Sequence, residues 1–111
     1  MNDRELLELA AKAAGVDGKW LGDGSLWIGP YDGGNQWTPL TDDGDALRLA
    51  VKLKLCLTSW PDQTPPHAMI GYSTGPTHGD NCIEVYGDDC MAATRRAIVR
   101  AAAEIGKNHV E

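Results

Sequence analysis

Residues 55–86 read LCLTSWPDQTPPHAMIGYSTGPTHGDNCIEVY, and this stretch decides the fold class. It holds three runs of two-residue alternation, separated by clusters of Pro, Gly, Thr and Asp. Leu55 to Trp60 ends against Pro61, and PDQTPP then leads to His67 to Ser73. There Ala68, Ile70 and Tyr72 alternate with Met69 and Gly71, as on the two faces of a strand. The loop TGPTHGD leads to Asn81 to Tyr86, where Cys82, Glu84 and Tyr86 alternate with Ile83 and Val85. Connections this short join neighbours that run in opposite directions, so the spacing predicts an antiparallel meander.

Helical spacing flanks the meander on both sides. Upstream, Ala46, Leu47, Ala50, Val51 and Leu53 form one apolar face. Thr41, Asp42 and Asp43 offer caps and Lys52 and Lys54 close the end, so a helix is expected over about 43–54. Downstream, Met91, Thr94, Ala97, Ile98, Ala101, Ala102 and Ile105 form a stripe behind Asp88 and Asp89. That predicts a helix over about 89–105, stopped by Gly106. The first residues give a third helix, about 3–14, capped by Asn2 or Asp3 and stopped at Gly15. Between residues 15 and 40 glycine recurs, and only Ser25 to Ile28 reads as a strand. The expected architecture is one α+β domain over 1–111, in the order α–β–α–β–β–β–α. Its sheet is mainly antiparallel, with three to four strands packed against three helices.

Composition narrows the function classes. Of 111 residues 42% are hydrophobic and 23% charged, ordinary values for a folded domain. The net charge of −6 and the scattered Lys and Arg argue against a nucleic-acid binder. No apolar run approaches the ~20 residues of a membrane helix, and the polar opening MNDRELLELAAKAAG does not resemble a signal peptide. Three Cys, an odd number, point to free thiols and a reducing cytosol.

His78, Cys82 and Cys90 lack the tight paired spacing of a structural zinc site, so no metal or other cofactor is expected. A Cys–His nucleophile would draw on Cys82 or Cys90 with His67 or His78, but Asp88 and Asp89 oppose a lowered Cys90 pKa. Asp42, Asp43 and Asp45 read as helix caps rather than a calcium loop. The residues converge on no catalytic set, which points away from an enzyme. Two groups remain as candidate binding residues. Trp27, Tyr31 and Trp37 lie in the Gly-rich region, either as an interface hot spot or folded back against the core edge. Arg95 and Arg96, with Arg100, lie at helical spacing as a solvated face or an anion patch.

The segment Trp37-Thr-Pro-Leu-Thr-Asp-Asp-Gly-Asp-Ala-Leu-Arg-Leu-Ala resembles small accessory proteins of tailed phages and prophages. So do Ala93-Thr-Arg-Arg-Ala-Ile-Val-Arg-Ala-Ala and the opening ELLELAAKAAG. The pattern is similar to the group called the phage α-β-α sandwich domain, or NinX-like. The resemblance implies a viral origin, a host-cytoplasmic setting and a host protein as partner, and it carries no catalytic residues. Three readings stay open on the residues. The first is non-enzymatic protein binding that modulates a host defence factor. The second is a small-molecule or nucleotide binder using the loops around Trp37, Ser73 to His78 and the last-helix arginines. The third is a self-associating homodimer.

Overall fold

A computed structural model describes residues 2–20, 26–28, 35–75 and 78–108. Helix α1 runs Asp3–Ala14. The Asn2 side chain accepts the Glu5 N–H at 2.8 Å, which satisfies one orphan donor of the first turn. Gly15, at φ +67°, donates its N–H back to the Ala11 and Lys12 carbonyls and ends the helix as expected. Helix α2 runs Asp43–Lys52, with Asp42 accepting the Asp45 N–H. It ends two residues short of the expected boundary, because Lys54 turns left-handed at φ 57° and Leu55 donates to the Ala50 carbonyl at 2.9 Å. No glycine marks that turn in the sequence.

The β content lies in two three-stranded antiparallel sheets. The smaller joins β1 (Lys19–Trp20), β2 (Leu26–Ile28) and β3 (Asn35–Trp37) in that order. Only β2 matches a strand read from the sequence, since runs of two or three residues are too short to show alternation. The larger sheet joins β4 (Cys56–Trp60), β5 (His67–Gly75) and β6 (His78–Val85) as the predicted meander. The element order is α–β–α–β–β–β–α, with the first β position filled by the small sheet.

Helix α3, Cys90–Lys107, is the centre of the packing. Asp89 caps it by accepting the Ala92 N–H at 3.0 Å. Ala97, Ile98, Val99, Ala101, Ala102 and Ala103 are all buried, so the helix is enclosed on most of its circumference. It packs on β5 and β6, on α1 and on α2. Alanine on so many faces allows close approach on several sides. Gly106 does not stop α3; the helix runs one residue past it. A methyl group there would overlap the Leu9 backbone carbonyl of α1, so this glycine marks where the two helices cross.

Candidate binding surface

The segment from Trp37 to Asp45 is a folding device. Trp37 is 7% exposed and pairs in register with Leu26, turned into the core, and Pro39 behind it is fully buried. Thr41 and Asp42 both donate their N–H groups to the Thr38 carbonyl, at 3.0 and 2.7 Å, closing a turn. Asp45 accepts the Thr38 N–H at 2.9 Å and the Arg48 guanidinium at 2.7 Å, so one carboxylate ties β3 to α2. Arg95 reaches the same turn from α3, donating to the Leu40 carbonyl at 2.9 Å and to Asp43 at 2.6 Å. Beside this turn lies an open cleft of about 750 Å³ between α1, β3 and α2, walled by Trp37, Thr38, Arg48 and Lys52.

The candidate aromatics do not form one surface. Trp27 pairs with Gln36 and Trp37 with Leu26, so the two indoles lie on opposite faces of the small sheet. Trp27 is exposed while Trp37 closes the core. Tyr31 lies outside the described residues. The arginines of α3 each hold a neighbouring element. Arg95 holds α2, Arg96 donates to Asp3 of α1 at 3.0 Å, and Arg100 donates to the Ile83 carbonyl and to Glu84 of β6. Cys82 is buried on the α3 side of its sheet, where burial pushes its thiol pKa up, opposite to what a nucleophile needs. His67 pairs with Val85 and so lies on the other face from Cys82.

The register of the larger sheet assigns its residues to two faces. Ala68, Ile70 and Cys82 are buried toward α3, with Tyr72 and Tyr86 packed against that core. Glu84 lies on this inner face too, paired with Arg100. Tyr86 shares a hydrogen bond with Ser59 of β4. The outer face carries three rows across β4, β5 and β6. These are Trp60, His67 and Val85; then Thr58, Met69 and Ile83; then Cys56, Gly71 and Asn81. Trp60 is 39%, Ile83 51% and Val85 55% exposed. None of the nine positions holds Asp, Glu, Lys or Arg, where the chain's 23% charged fraction would supply about two.

Alternation alone separated these two faces but did not say which was covered. The one sequence signal is inverted polarity: Glu84 falls in register with the inner set, and Ile83 and Val85 with the outer one. An inner carboxylate requires a cation from the covering helix, and Arg100 is that cation.

No protein-family model matches the chain, and no curated protein or solved structure matches it either.

Proposed function

We propose that this protein acts by binding another protein through the outer face of β4, β5 and β6, without catalysing a reaction. The observation that carries the reading is that face itself. Large apolar side chains stand 39–55% exposed on a patch with no charge, in a chain of net charge −6. Exposed apolar side chains on an uncharged surface are what protein interfaces use, with aromatic residues as anchors. The resemblance to phage accessory proteins adds the partner class: a host protein, met in the host cytoplasm and modulated by occupation of its surface. The test is affinity capture from host lysate with wild-type and Ile83→Glu protein side by side. One stoichiometric partner, lost in the variant, is the expected result; equal recovery with both proteins overturns the reading.

A second reading rests on the cleft walled by Trp37, Arg48 and Lys52, which has the size and mixed lining of a small-molecule or nucleotide site. The α3 arginines do not contribute to it, because they hold α1, α2 and β6. A nucleotide that raises the unfolding temperature of wild type but not of Arg48→Ala would favour this reading.

A further inference from the structure

We infer that the free edge of β4 receives an extended segment of the partner protein as an added strand, held by backbone hydrogen bonds. The inference rests on the protein-binding reading of the adjoining outer face and names the element by which the partner is gripped.

In an antiparallel sheet each residue turns its N–H and C=O to the same side, and that side alternates along the strand. Just past β6, Tyr86 donates its N–H to the Pro66 carbonyl at 3.0 Å, continuing the register of the His67–Val85 pair. Glu84, Cys82 and Asp80 therefore face β5, while Val85, Ile83 and Asn81 turn their backbone groups to the outer edge. Carried across β5, the same alternation sets Cys56, Thr58 and Trp60 toward β5 and leaves Leu57 and Ser59 pointing outward.

The two edges of the sheet are finished differently. On β6, side chains occupy the outward groups: Asp80 accepts the Asn81 N–H at 2.8 Å, and Arg100 donates to the Ile83 carbonyl at 3.0 Å. Side chains placed this way blunt an edge against further pairing. On β4, the outward N–H and C=O of Leu57 and Ser59 meet no hydrogen-bond partner among the described residues. The run Cys56–Trp60 also lacks the charges and prolines that protect edges elsewhere. Helix α3 packs on β5 and β6, and Leu57 stays 45% exposed on the inner side.

An open row of backbone donors and acceptors is complemented by another extended backbone, which selects a strand as the occupant. Residues of that strand beside Cys56, Thr58 and Trp60 continue the three uncharged rows of the outer face, so apolar side chains suit those alternate positions. The net charge of −6 favours a segment with basic rather than acidic flanks.

The experiment pans a display library of linear ten-residue peptides on the full chain and follows amide hydrogen exchange by NMR. In the free protein the Leu57 and Ser59 amides are expected to exchange fast and the Thr58 amide slowly. Selected peptides are expected to alternate apolar and polar residues and to slow Leu57 and Ser59 by about tenfold or more. Proline is tolerated on an edge strand where its nitrogen faces solvent, so Leu57→Pro keeps the fold, checked by circular dichroism. It is expected to abolish peptide binding, whereas Leu57→Thr, which keeps the N–H, retains it. The exchange readout on wild type decides the matter even where proline disturbs the strand.

A Leu57 amide that is slow in the free protein overturns the inference, because the chain then covers its own edge. One that slows only as concentration rises does so too, since a second copy then fills the edge. An empty selection, or peptides that leave both amides unchanged, likewise overturns it. In host lysate, capture lost in Ile83→Glu but kept in Leu57→Pro removes the added strand and leaves the outer-face reading standing. Capture kept in both variants removes both.

Discussion

Gly106 is a single hydrogen atom placed where α1 and α3 cross, against the Leu9 carbonyl. Gly106→Ala gains helix propensity, yet the added methyl must push two backbones apart. Overpacking of this kind costs about 1–3 kcal/mol, so the expected result is a lower denaturation midpoint, measured by chemical unfolding. From the sequence Gly106 read as a helix stop, because glycine after an apolar stripe usually is one. The difference lies in what stands across from it, which no local pattern records. Cys82 makes a second prediction at this scale. Burial is the main cause that raises its thiol pKa, and burial likewise raises that of Tyr72. In the unfolded chain the thiol titrates near its ordinary value of about 8.5, so above that pH the unfolded state holds fewer protons than the native one. The contribution of Cys82 to stability is therefore level below about pH 8.5 and falls as pH rises beyond it. Equilibrium unfolding across that range should show the fall, with a smaller slope in Cys82→Ala. Exposed Cys56 and Cys90 should react with a thiol reagent in the native state, and Cys82 only after unfolding.

At the scale of elements, the helices were legible because capping and periodicity are local. Asn2, Asp42 and Asp89 all accept N–H groups from the first turns that follow them. The last three strands were legible because each exceeds four residues between turn signals. Strands β1 and β3 were not, since their pairing comes from neighbours rather than from their own pattern. The arginines of α3 show the same limit. Helical spacing suggested a solvated face or an anion patch, but each guanidinium ties α3 to another element. Arg95 is the most enclosed, with its side chain 16% exposed. Arg95→Ala strands the Leu40 carbonyl and Asp43, and the expected loss is about 1–2 kcal/mol. Arg95→Lys should recover only part of it, because an ammonium cannot present the forked donors that reach both acceptors. Comparing the three proteins by thermal and chemical unfolding checks the prediction.

For the molecule as a whole, the sequence disclosed the α+β class and the order of elements, while the surface was the least legible part. Trp27 and Trp37 looked equivalent in a Gly-rich stretch, and strand pairing turned them to opposite sides. The uncovered sheet face was hidden for a related reason. Whether Ile83 and Val85 are inside or outside depends on where α3 lands, which is a property of the tertiary arrangement. That arrangement also predicts strong cooperativity, since α1, α2 and the larger sheet all pack on α3. A fragment of residues 1–88 should lack a cooperative unfolding transition, because Leu6, Ala10, Ile70 and Cys82 lose the helix that buries them. Circular dichroism and heat-capacity measurements on the fragment would check this.

The central place of α3 also fixes a sequence of events in the cell. A ribosome delivers α1 first and Cys90–Lys107 last among these elements. While residues 1–89 are being made, the first helix and the meander have no surface on which to settle. Their apolar sides stay open to proteases and chaperones until the final helix emerges, and the parts then gather in one step. A stop codon or ribosomal stall just before residue 90 therefore yields not a slightly shorter protein but a substrate for degradation.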